Sequence, residues 1–209
     1  MPINYQVKQG DCISSIAFEH GFFADTIWNY PNNAELKEKR QDPNVLMPGD
    51  VVFIPDKRLK EVPEPTNFVH KFKCKNTPEK FKIQLLIEDE PRANEEYELE
   101  IEDLKFEGKT DSEGRLEQSI PPNAKQGKLI LKKDGMVFEL RLGNLNPSDE
   151  ITGAQGRLRN LGLYFGAIDG QMSDDLEQAI QEFQIIKNIE PDGELSEETK
   201  DALKQDYGA

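Results

Sequence analysis

With 209 residues, 36% hydrophobic and 32% charged, the chain has room for two or three small domains but not for one large core. Its formal net charge of −14, with 5 basic against 14 acidic residues in 145–209, repels phosphate backbones and argues against nucleic acid as a partner. No apolar run is long enough to span a bilayer, and the polar start Met1-Pro2-Ile3-Asn4-Tyr5 lacks the basic and apolar stretches of a secretory signal.

In chain order, Tyr5-Gln6-Val7 reads as a short strand and Gly10-Asp11 as a turn. Ile13, Ile16 and Ala17 fall on one helical face, Ser14 and Ser15 lie near that helix start, and Gly21 ends it. A second helical stretch covers Phe23–Trp28, and Leu46-Met47-Pro48-Gly49-Asp50 is a turn feeding a strand through Val51–Pro55. The order is β-α-α-β over residues 1–56. Between Trp28 and Leu46 the charged segment Pro31–Pro43 predicts an extra helical turn. Residues 57–67, with Pro63 and Pro65 among charges, read as a linker.

From 68 to 144 the pattern is β. Phe81–Leu85, Tyr97–Ile101, Lys128–Leu131 and Val137–Leu142 alternate, and turn signals stand at Asp111–Gly114, Pro121–Asn123 and Asp134-Gly135. Short strands at this spacing predict a small antiparallel β-sandwich. Residues 145–209 read as a three-helix module with an internal repeat, in which Asp169-Gly170-Gln171-Met172-Ser173 aligns with Asp192-Gly193-Glu194-Leu195-Ser196. In each copy Asp-Gly makes a turn, Met172 or Leu195 plugs the core, and Ser173 or Ser196 caps an acidic first helical turn. Leu158, Leu161 and Leu163 imply an earlier helix, and Phe183 a core position. The fold class expected is therefore α+β multidomain.

Cys12, Cys74, His20 and His70 have no metal-ligand spacing, so no metal or other cofactor is expected. Both cysteines are expected as buried thiols rather than a disulfide, which fits folding in a reducing cytoplasm. No nucleophile elbow, zinc-binding helix or P-loop occurs, and three small modules leave no large cleft for paired carboxylates. A binder, not an enzyme, is expected.

The run Val7–Ala17 with Gly21, Asn29, Leu46–Asp50 and Ile54-Pro55 resembles the LysM family. The resemblance implies binding of N-acetylglucosamine-containing glycans, whether peptidoglycan or chitin-like. The groove would lie between Gly10, Asp11, Cys12 and Ile13 on one side and Leu46 and Met47 on the other. Gly156–Gly170 with Ala179–Gln184 and Asp192-Gly193 resembles the peptidoglycan-binding domain family and implies a wall-contacting face at Tyr164, Phe165, Ile168, Asp169, Gln181 and Gln184. Gly108–Leu116, Ile120–Ala124 and Leu140–Pro147 are similar to the immunoglobulin-like spacer of proteins linked to type VI secretion clusters. This implies an accessory or cargo role near a contractile injection apparatus, which would deliver the chain from the cytoplasm to the periplasm or a target cell. The alternative is an adaptor whose end modules dock a spike or effector protein.

Overall fold

The structure is a computed structural model that describes residues 1–57, 63, 67–71, 78–87 and 90–207. Most of the expected linker, and Cys74, lie outside the described residues.

The first segment pairs β1 (Ile3–Gln6) with an antiparallel strand at its far end. Between them lie α1 (Ile13–His20), α2 (Ala24–Trp28), a 3-10 turn (Pro31–Asn33) and α3 (Ala34–Arg40), and β2 (Val51–Ile54) closes the unit. Val7, Ile13, Ile16, Ile27, Trp28, Leu46, Val52 and Ile54 form its core. Cys12 caps α1 in a reciprocal box with Ser15. The Ser15 amide donates to Cys12 Sγ (3.4 Å) while the Cys12 amide donates to Ser15 Oγ (3.0 Å).

The expected extra turn between α2 and β2 is larger than the sequence suggested, because two buried polar side chains hold it down. Asn33 donates to the carbonyls of Ile27 and Phe53, both at 2.8 Å, and accepts from the Phe53 amide at 2.7 Å. Arg40 makes a two-pronged ion pair with Asp50, at 2.8 and 3.0 Å, with both side chains nearly buried. Burial pushes the Asp50 carboxyl upward, but Arg40 and the Met47 amide outweigh it and hold the group below its ordinary range.

The middle segment holds several small antiparallel sheets. β3 (Glu79–Gln84), β4 (Leu86–Ile87), β5 (Glu90–Pro91), β6 (Glu96–Ile101), β7 (Leu104–Lys109), β8 (Arg115–Ile120), β9 (Gln126–Leu131) and β10 (Val137–Arg141) follow in order. Four of them form a sheet in the order β10-β9-β6-β7, and β3 pairs β8 while β4 pairs β5. Leu99, Ile101, Leu129 and Leu131 from the four-stranded sheet meet Leu85, Leu116 and Ile120 in one core. The expected alternating runs fall on β3, β6, β9 and β10, whereas β7, paired with β6, and β8, paired with β3, were not expected as strands.

Helices α4 (Ile151–Asn160), α5 (Asp174–Lys187) and α6 (Glu197–Tyr207) enclose a third core of Ala154, Leu158, Tyr164, Leu176, Ala179, Ile180, Phe183 and Leu203. Ser173 and Ser196 cap as expected, accepting from the amides of Leu176 (3.3 Å) and Thr199 (3.2 Å). Two positions differ. Met172 is half exposed rather than a core plug, and Leu161 lies at the surface, because the chain leaves α4 at that residue.

The first and middle segments touch through bare backbone. A Cβ on Gly143, whose φ is +70°, would stand 2.7 Å from the Gly10 carbonyl oxygen. Lys125 reaches Asp11 at 3.3 Å, and Gln9 donates to the Asn144 carbonyl at 3.1 Å. Gly143→Ala is therefore expected to loosen this contact at a cost of about 2 kcal/mol, combining left-handed strain with collision. Gly135→Ala, with φ +72° and nothing within 4 Å, isolates the strain alone at about 1 kcal/mol. Hydrogen exchange at Val7–Ile13 should quicken in the first variant only.

Candidate functional site

In the carboxy-terminal module two buried glutamines clamp two turns. Gln155 on α4 accepts through Oε1 from the amides of Asp169 (3.1 Å) and Gly170 (2.9 Å), and donates through Nε2 to Asp169 Oδ1 (3.0 Å) and the Gln171 carbonyl (3.1 Å). Gln184 on α5 does the same for the second copy. It accepts from the Gly193 amide (2.9 Å) and donates to Asp192 Oδ1 (2.7 Å), the Glu194 carbonyl (3.1 Å) and Thr199 Oγ1 (3.1 Å). Each aspartate also accepts the amide two residues on, at 2.9 Å. The Gln171 amide and Gln155 hold the Asp169 carboxyl below its ordinary range; the Glu194 amide and Gln184 do so for Asp192.

These clamps fix the loop between α4 and α5. Tyr164 is buried and donates to the Ala167 carbonyl at 2.8 Å, while Arg159 donates to the Gly166 carbonyl. The tied backbone leaves Phe165 86% exposed between two pinned residues, with Ile168, Asp169 and Met172 at the surface beyond it. An aromatic ring held out by a rigid loop loses little freedom when it packs on a ligand.

Of the six residues expected on this face, the structure keeps Phe165, Ile168 and Asp169 together on one surface loop. Gln181 is half-buried and lies against the other turn, where a Cβ on Gly193 would meet its Nε2 at 3.1 Å. Tyr164 and Gln184 are corrected to interior positions, since both are buried and spend their polar atoms within the chain. Gln155 and Met172 were not anticipated. The signal for Gln155 was present, because it lies four residues after Ile151 and three before Leu158, on the apolar stripe of α4.

The amino-terminal groove is closed where it was expected to be open. Gly10, Asp11, Ile13 and Leu46 are all buried, with Ile13 and Leu46 in the core. Asp11 is 4% exposed and saturated, accepting from the Tyr5 hydroxyl (2.8 Å), the Lys8 amide (2.9 Å) and Lys125. Burial, and then the Asp11 bond, push the Tyr5 hydroxyl up to about 12. The Ile13 amide donates to the Pro43 carbonyl at 2.9 Å, so the segment before β2 has taken a backbone group a sugar acetamide would need. Asn144 and the Leu142 carbonyl stand within about 4 Å of a Cβ placed on Gly10. Cys12 is partly buried, and burial raises its thiol, with Glu79 adding to the shift. Met47 alone of the opposite pair keeps some exposure, and its amide donates to Asp50 at 2.9 Å.

Among the described residues no cluster of His, Cys, Asp and Glu could hold a metal ion, and no helix is long and apolar enough to cross a membrane.

The three-helix unit, with its two glutamine-clamped Asp-Gly turns, presents the Phe165 loop at its surface. Residues 147–203 match the family model described as Putative peptidoglycan binding domain, and this stretch of the chain is a peptidoglycan-binding domain. Comparison with curated proteins and with solved structures gave no match.

Proposed function

We propose that the chain is a non-catalytic protein that holds peptidoglycan through its carboxy-terminal module, with the other two segments acting as a braced extension. The peptidoglycan-binding domain at 147–203 carries this reading. The pinned, outward Phe165 supplies the contact chemistry, since an aromatic ring stacks on the apolar face of a sugar or on a stem peptide. The LysM-like nature of 1–56, the immunoglobulin-like nature of 68–144 and a place beside a contractile injection apparatus belong to the same proposal and rest on the sequence resemblances. Within it, the first module is a brace, because its groove is filled by Leu142–Asn144 and Pro43.

Co-sedimentation with purified wall sacculi tests the reading. The full chain is expected to pellet with sacculi, and Phe165→Ser to retain its helical signal while losing about tenfold in affinity, as for a central aromatic contact. A wild-type chain left in the supernatant, or a variant that pellets equally well, overturns it.

A further inference from the structure

Where the turn between α1 and α2 meets the start of β3, the chain forms a half-open cavity of about 280 Å³. Its walls include Phe18, Phe22 and Phe23 from the first segment and Pro122 from the middle one, with the acidic residues Asp25 and Glu79 among the lining on either side. The local sequence dictates the aromatic cluster. α1 ends at Gly21 in the left-handed conformation, and the Phe22 amide folds back onto the Ala17 carbonyl at 2.7 Å. That reversal brings Phe18, on the last turn of α1, to the same cavity as Phe22 and Phe23. Phe18 and Phe23 stay 50% and 54% exposed. Two half-exposed phenylalanines sharing one small cavity, in a chain that is only 8% aromatic, mark a surface kept for contact.

The chemistry of the walls selects the ligand. Phenylalanine rings bury an alkyl stem and attract a cation, and neighbouring acidic residues favour a positive charge. No basic side chain lines the cavity among the described residues; Lys57 places its ammonium beside Gly21, next to this corner. The net charge of −14 favours a cationic visitor further. At about 280 Å³ the cavity falls just below the range of pockets that enclose whole small molecules, so it suits one long side chain better than a length of glycan.

We infer that this cavity is a second binding site, taking the alkylammonium side chain of a diamino acid, of the lysine kind, in the stem peptides of the wall polymer. The assignment to wall peptide rests on the proposed function. Peptide amines recur along the polymer that the carboxy-terminal module holds, and two linked sites on one polymer multiply their affinities.

The test titrates the full chain with Nα-acetyl-lysine amide and with Nα-acetyl-norleucine amide, which keeps the stem and lacks the charge. Amide NMR shifts are followed at Phe18, Phe22–Asp25 and Glu79. Saturable shifts confined to this corner are expected for the lysine compound, at least about tenfold weaker for norleucine. Phe23→Ala is expected to weaken lysine binding by about fivefold, and the pair Asp25→Asn with Glu79→Gln to abolish it, with circular dichroism unchanged. Equal binding of the two compounds, or shifts elsewhere, overturns the site. A muramyl peptide bearing the diamino acid should bind more tightly than the lysine compound, and equal or weaker binding overturns the wall assignment. Sacculus sedimentation of the wild type separates the two claims. Pelleting without lysine shifts defeats this inference alone, whereas lysine shifts without pelleting defeat the wall reading and leave only the ammonium pocket.

Discussion

Gln184→Ala is expected to destabilise the carboxy-terminal module by about 3 kcal/mol while the amino-terminal module keeps its stability. Gln184 is fully buried and makes four hydrogen bonds, to Asp192, Gly193, Glu194 and Thr199. Alanine removes all four, strands the buried Gly193 amide and leaves a void in the third core. For a unit of this size the loss corresponds to a fall of roughly 12–24 °C in Tm. The chain offers a clean way to see it. Trp28, the one tryptophan in the sequence, lies in the first core, so its fluorescence follows that module alone. Thermal melting by circular dichroism should show an early helical transition that Trp28 fluorescence does not share. Gln178→Ala, at an exposed position on the same helix, should stay within about 0.5 kcal/mol of the wild type. A loss below about 1 kcal/mol in Gln184→Ala would remove the clamp from the account of this module.

The role of Gln184 was half legible. The sequence exposes the repeat, because Asp-Gly followed by a capping serine recurs with the same logic in both copies, and the structure shows both caps. It also places Gln184 eight residues after Leu176 and four after Ile180, which is the buried stripe of α5. Residue type alone suggests a ligand contact there, whereas helical phase places the side chain inside. A buried glutamine with four acceptable partners is satisfied, and phase was the better guide. Tyr164 misled in the same manner: its ring fills the third core while its hydroxyl ties the loop that carries Phe165.

The amino-terminal groove was not legible, for a different reason. Nothing near Gly10 in sequence announces that Asn144 and Leu142, more than a hundred residues away, will lie on it. Contacts between backbones at two glycines leave no side-chain pattern to read. Asp11 shows the same limit, since its position suggests a groove lip, yet its partners are Tyr5, Lys8 and Lys125. The inward strands β6 and β9, with Leu99, Ile101, Leu129 and Leu131, were plain because alternation is local; β7 and β8 are specified mainly by the strands they pair with.

Gly153→Ala is expected to be at least as damaging as the glutamine change, against the local propensity. Gly153 is the third residue of α4, where alanine ordinarily stabilises a helix by about 1 kcal/mol. Here a Cβ would sit 1.8 Å from the Pro147 carbonyl oxygen and 2.7 Å from that of Asn146, so the chain entering the module would have to lift off the helix. The same lead-in supplies the Asn146 carbonyl to which the fully buried Arg157 donates at 2.7 Å, and Arg157 also bonds the Gly153 carbonyl at 3.1 Å. Displacing one main-chain partner of a buried guanidinium costs far more than a neutral hydrogen bond. A net loss of about 4 kcal/mol follows, read as an early helical melt that leaves Trp28 fluorescence unmoved. Gly156→Ala, one turn further along α4, separates the two effects. Its Cβ would meet only Leu145 Cδ1 at 3.1 Å, the end of a side chain that can turn away, so stability should stay within about 1 kcal/mol of the wild type. If both variants melt like the wild type, the lead-in is not seated on α4 and Arg157 must be held by other groups. If Gly153→Ala alone fails, the close approach of Asn146-Pro147 to the helix fixes where the peptidoglycan-binding module joins the rest of the chain.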